Sequence, residues 1–139
     1  MILNQGTQTR GQTRKLLRSS DITDGIIGAA IEVHRELGPG LLESAYEQCL
    51  CHELSLRHIS FERQVELPVR YKGVRFDCNY RIDLLVEKEV VVELKAIEAV
   101  LPVHLAQLLT CLRLGGKPVG LLINFHVDIL KNGIHRRAL

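Results

Sequence analysis

The sequence predicts a single α/β domain. Three observations carry that prediction. Apolar residues recur at spacings of three and four over two early stretches, Ile22 to Leu37 and Leu42 to His58, which is the period of a helix with one buried face. A run with period-two alternation follows, as in a half-buried strand. A Val-rich segment, a third helical pattern and another apolar segment then close the core, an order that places a helix between strands. The chain has 139 residues, which suits one domain with its own core. With three Tyr, three Phe and no Trp, that core must be built from Leu, Ile, Val and Ala.

Residues 1–20 are rich in Gln, Thr, Arg and Gly and have no apolar period, so they are expected to be a disordered basic tail, with a folded domain over 21–139. Asp21 or Thr23 is the expected cap of the first helix. Ile22, Ile26, Ala30, Val33 and Leu37 line its apolar face, and Gly38-Pro39-Gly40 ends it. The second helix buries Leu42, Ala45, Tyr46, Cys49, Leu50, Leu54 and Leu56. Val65, Leu67, Val69 and Tyr71 then share one strand face, Lys72-Gly73 turns the chain, and Val74, Phe76 and Cys78 resume the alternation as a hairpin. The second strand runs on to Val86. Glu87-Lys88-Glu89 is a charged turn, and Val90-Val91-Val92 leads a buried strand into Glu93-Leu94-Lys95. A helix from Pro102 to Leu114 ends at Gly115-Gly116, Val119 to Ile123 is a further strand, and a turn at Asn132-Gly133 precedes a short basic end.

Charge limits the binding modes. Formal net charge is +2, yet Arg10, Arg14, Lys15 and Arg18 alone exceed it, so the folded body is slightly acidic. A broad basic face that grips a duplex is not expected from this balance. Cys49, Cys51, Cys78 and Cys111 form no C-x-x-C pair, and three of them (Cys49, Cys78 and Cys111) sit among apolar neighbours, so neither a disulfide nor a zinc site is expected. No apolar run approaches the length of a membrane span, and no signal-peptide pattern opens the sequence, which points to the cytoplasm.

The chemistry concentrates at the end of the Val-rich strand. Glu93 and Lys95 point to the same side of it, because strand side chains alternate. Mutual salt bridging is the plain explanation; a metal-binding carboxylate beside a catalytic lysine is the other. Asp83 interrupts the preceding strand, and a turn centred on Lys88 pairs position 83 with position 93. Two carboxylates in that relation repel unless a cation lies between them, and hard oxygen ligands suit Mg²⁺ or Mn²⁺. Glu43 opens the second helix, where the macrodipole alone favours an acid. Tyr46, one turn on, reads as a core residue with its hydroxyl at an edge. Gln107, mid-helix beside Leu105, Leu108 and Leu109, reads by itself as a surface residue.

Together these residues resemble a known family. Gly40-Leu41-Leu42-Glu43-Ser44-Ala45-Tyr46 is similar to the pattern that names the GxxExxY proteins, and the resemblance runs from Asp21 to Arg137. It includes Tyr80-Arg81-Ile82-Asp83-Leu84-Leu85-Val86, Val92-Glu93-Leu94-Lys95-Ala96 and Ala106-Gln107-Leu108-Leu109-Thr110. That family is assigned to the PD-(D/E)XK nuclease superfamily, which implies a restriction-endonuclease-like core with a mixed central sheet flanked by helices. By the resemblance, Asp83 and Glu93 are metal ligands with the Leu94 carbonyl as a third, and Lys95 positions or activates the attacking water. Glu43 supports the metal or its waters, and Gln107 matches a polar residue of RecB-like nucleases. Cys111 stands where a tyrosine commonly follows that glutamine by four. The expected function is Mg²⁺-dependent hydrolysis of phosphodiesters in DNA, or secondarily RNA. The alternative is an inactive nuclease fold that binds nucleic acid, a protein partner or a second copy of itself without cutting. None of the six histidines shows a close ligand pairing.

Overall fold

The structure, a computed structural model, describes residues 18–139, and the segment before them, most of the expected tail, lies outside that range. Helix α1 spans Ser19–Leu37 and α2 spans Glu43–Leu56. Strands β1 (Phe61–Tyr71), β2 (Val74–Val86) and β3 (Val90–Lys95) follow. Helix α3 (Pro102–Gly115), strand β4 (Val119–Asn124), a 3-10 turn (Leu130–Gly133) and strand β5 (Ile134–Ala138) complete the chain. The five strands form one sheet in sequence order. Only β3 and β4 are parallel, because α3 carries the chain back between them; the other neighbours are antiparallel. This is the mixed sheet with flanking helices expected of a restriction-endonuclease-like fold.

Two apolar layers cover the sheet. On one face, Ile22, Ile26, Ala29, Ala30 and Val33 of α1 and Tyr46, Leu50 and Leu54 of α2 pack on Leu84, Val92, Leu94, Leu121 and Ile123. On the other, Leu108, Cys111 and Leu112 of α3 pack on Leu67, Ile82, Leu85, Val91 and Leu122. Close packing of α3 on β4 depends on Gly120: a Cβ there would stand 2.8 Å from Leu108 Cδ1 and 3.1 Å from Leu112 Cδ2.

Several local expectations are corrected. Helix α1 starts at Ser19, inside the expected tail, with Arg18 as its N-cap, three residues before the earlier of the two expected caps; Asp21 is its third residue and its carboxylate accepts from the Arg18 N–H at 3.2 Å. Helix α2 is shorter than expected, with Leu42 as its N-cap and 77% exposed, and Leu56 is exposed as well. Cys78 is exposed and Cys51 is buried, the reverse of the neighbour-based reading; all four thiols are free. The basic end is strand β5, paired with β4 from Ile123↔Ile134 to Val119↔Ala138. Among the described residues, no helix is long and apolar enough to cross a membrane.

Candidate functional site

The end of β3 is built by alternation. Val90, Val92 and Leu94 enter the layer under α1 and α2, and Val91 enters the layer under α3. Glu93 and Lys95 share the side of Val91 and line a cleft of about 320 Å³ against α3, where Gln107 and His104 face them. Asn124, buried at the end of β4, fixes where the chain goes next. Its side chain accepts from the Ile97 N–H at 3.0 Å and donates to the Ile97 carbonyl at 2.9 Å. The Lys95 carbonyl accepts from the Phe125 N–H at 2.9 Å, so the backbone on both sides of Lys95 is held.

Asp83 marks a break in β2. Ile82 belongs to the α3 layer and Leu84 to the opposite one, so the strand turns over between them. The β2–β3 ladder follows the register expected from a turn centred on Lys88, through Val86↔Val90, Leu85↔Val91 and Leu84↔Val92. It stops one step before 83↔93. There the Asp83 carboxylate accepts from the Leu94 N–H at 2.8 Å, so a side chain replaces the next rung and the strands part. The expectation that 83 and 93 form an ordinary ladder pair is thus corrected: Asp83 occupies the fork.

The fork also opens on α2. Glu43, Glu47, Gln64 and Asp83 line a second cleft of about 450 Å³. Gln64 on β1, in the left-handed region at φ 50°, donates to Glu47 at 2.8 Å and to Asp83 at 3.4 Å. Arg63 pairs with Glu47 at 2.7 Å. Glu47 and Gln64 were not singled out in the sequence. The available signal was Glu47 lying one helical turn after Glu43, on nearly the same face. Glu43 is presented by a braced loop. Gly40 takes φ +105°, which favours glycine, and the Tyr46 hydroxyl donates to the Gly38 carbonyl and accepts from the Leu41 N–H at 3.1 Å. The Tyr46 ring stacks on Phe125 with centroids 4.4 Å apart. The spacing of Gly40, Glu43 and Tyr46 therefore has a mechanical reason: a turn, an acid at the first helical position, and an anchor for the turn.

The two clefts communicate electrostatically. Burial pushes the Glu93 carboxyl up to about 8, the nearby Asp83 carboxylate adds to the rise, and Lys95 opposes it. Asp83 is also raised, first by burial, against the Leu94 N–H that favours its charged form. Glu43 is exposed as a residue, yet its carboxyl is raised by partial desolvation, with Lys95 opposing. The Cys111 thiol, beneath Glu93, is pushed up to about 11 by burial and by the same carboxylates. Glu93 Oε1 is buried with no hydrogen-bond partner. Among the described residues no ion pair joins Glu93 to Lys95, so salt bridging does not explain these two charges. Nor are any three His, Cys, Asp or Glu side chains there grouped closely enough to hold a metal by themselves. Two of the histidines have other work. His34 Nε2 lies 2.7 Å from the Val127 carbonyl, and His104 Nδ1 accepts from the Leu101 N–H at the start of α3.

Residues 20–137 match a family model described as PD-(D/E)XK nuclease superfamily. No curated protein and no solved structure matches the chain.

Proposed function

We propose, because this chain belongs to the PD-(D/E)XK nuclease superfamily, that it hydrolyses phosphodiester bonds of nucleic acid, DNA before RNA, at the fork between β2 and β3. The observation that carries this reading is the buried, partnerless oxygen of Glu93 beside the Asp83 carboxylate. A buried polar atom without a partner is costly, and a carboxyl raised by burial and by a neighbouring carboxylate asks for a cation. Asp83 and Glu93 are the ligands in this proposal. Two side-chain oxygens suit Mg²⁺ or Mn²⁺, which complete their shells with backbone oxygen and water. When bound, such an ion supplies Lewis acidity toward the phosphate and lowers the pKa of the attacking water.

The chain's own groups do the rest. Water adds to phosphorus as one ester P–O bond breaks, and negative charge builds on the phosphate oxygens. Lys95, on the same strand face as Glu93 and without an acid partner among the described residues, offsets that charge. Glu43 from α2 and Gln107 from α3 flank the fork on its two sides and orient water and substrate. The Leu94 N–H fixes one oxygen of Asp83, so its carboxylate is positioned before any substrate arrives.

The test is a cleavage assay with Mg²⁺ or Mn²⁺ on single-stranded, duplex and branched DNA and on RNA, for the wild type and Asp83→Asn. Metal-dependent cleavage by the wild type, lost in the variant, is expected. A wild type that binds nucleic acid and cuts none of these substrates would favour the non-catalytic binding module instead.

A further inference from the structure

We propose that the outer half of the β1–β2 hairpin is an arm that holds a single nucleic-acid strand by base stacking and feeds it into the Glu93–Lys95 cleft. The direction of feed rests on the nuclease reading above; the binding does not. Beyond Leu67, which is buried, the hairpin outruns α3, and every residue from Arg70 to Arg81 is exposed. Cross-strand pairing sets Tyr71 against Val74, Val69 against Phe76 and Leu67 against Tyr80. The three rings are 62%, 46% and 40% exposed, respectively, for Tyr71, Phe76 and Tyr80. Two of the three tyrosines and one of the three phenylalanines are thus spent on one solvent-facing hairpin, in a chain poor in aromatics. No element of the described chain covers them.

The charge of the hairpin points to the partner. Arg70, Lys72, Arg75 and Arg81 lie on this hairpin, against Glu66 and Asp77, while the folded body as a whole is slightly acidic. The Lys72 ammonium stands 5.3 Å from the centroid of the Tyr71 ring. The pairs Arg75–Asp77 and Arg81–Glu66 are solvent-exposed, so exchanging their acids for phosphates costs little. Arg70 and Arg75 lie opposite each other on the face away from the Tyr71 and Phe76 rings, and Lys72 stands at the tip, so bases can stack on the ring face while the backbone follows the tip and edge. A duplex hides its base faces and presents two backbones, whereas this arm is two strands wide and offers exposed rings for base faces. Tyr80 and Arg81 also line the cleft that holds Glu93, Lys95 and Gln107, so the arm and the cleft form one surface.

The experiment is an anisotropy titration of a labelled single-stranded oligonucleotide of mixed sequence, and of its duplex, in EDTA so that nothing is cut. The proteins are the full chain, Tyr71→Ala, Phe76→Ala and Tyr80→Ala, and the double variant Arg70→Ser/Arg75→Ser. Sedimentation velocity and melting temperature are measured on each. The wild type is expected to bind the single strand at least about tenfold more tightly than the duplex, and each ring removal to weaken that binding about tenfold. The arginine variant should lower the slope of log affinity against log salt by about 0.7 per cation removed. Equal affinity for strand and duplex, or ring variants that bind as the wild type does, would overturn the arm. So would ring variants that turn a dimer into a monomer with oligonucleotide affinity unchanged, since the rings would then pair two copies of the chain. Strand binding through the rings without cleavage under any metal would uphold the arm and remove the catalytic reading. Cleavage that ignores ring removal and strand state would do the reverse.

Discussion

Glu93 is where the chemistry of the site meets the stability of the fold. Its carboxyl ordinarily titrates near 4.5, and burial with the Asp83 charge lifts it to about 8 in the folded chain. Between those values the native state holds a proton that the unfolded chain has lost. The metal-free protein should therefore be most stable below the lower value and lose stability as pH rises through the window. Asp83 and Glu43, also raised, act in the same direction. A cation on Asp83 and Glu93 must displace the Glu93 proton, so below about pH 8 its affinity should rise about tenfold per pH unit. Melting in EDTA from pH 5 to 8 checks the first effect, and Glu93→Gln should remove most of the slope. An unchanged slope in that variant would mean that another group carries the proton. The residue types of this cluster were legible in the sequence, because an acid in an apolar strand and an ammonium two positions from Glu93 have few structural explanations. Glu47 and Gln64 were not, because each takes its meaning from partners on another element: Arg63 and Asp83.

At the scale of elements, the site depends on where strands part and how closely a helix lies. The turn centred on Lys88 set the β2–β3 register correctly, since the pleat leaves no other pairing that buries Leu84 and Val92 together. Period alone could not foresee that Asp83 would end the ladder by taking the Leu94 N–H. Strand β5 escaped notice for a related reason. Ile134–Ala138 lies at the sheet edge, where basic residues guard exposed hydrogen-bonding groups and blur the alternation. Helix α3 brings Gln107 to the cleft only because Gly120 lets Leu108 and Leu112 sit on β4. Both leucines are fully buried and have little room to move aside. Gly120→Ala should therefore cost about 1–3 kcal/mol in urea unfolding, through overpacking. A loss below about 0.5 kcal/mol, the range of neutral surface changes, would mean that the helix yields more easily than this packing implies.

At the scale of the whole molecule, the sheet separates two helical layers, and at the fork groups from both act on each other. Glu43 and Glu47 come from one layer, Gln107 and the Glu93–Lys95 face from the other, and Asp83 lies between them. This arrangement makes the catalytic account separable into parts. In the proposed mechanism Asp83 and Glu93 hold the cation, while Lys95 acts on the phosphate, because an ammonium is a poor ligand for a hard cation. The most direct measurement is a cleavage time course beside a calorimetric metal titration, for the wild type and Lys95→Ala. The account predicts a rate lower by about 100- to 1000-fold with metal affinity changed by less than about threefold. A variant that cuts as fast as the wild type, or that loses metal binding together with activity, would contradict it.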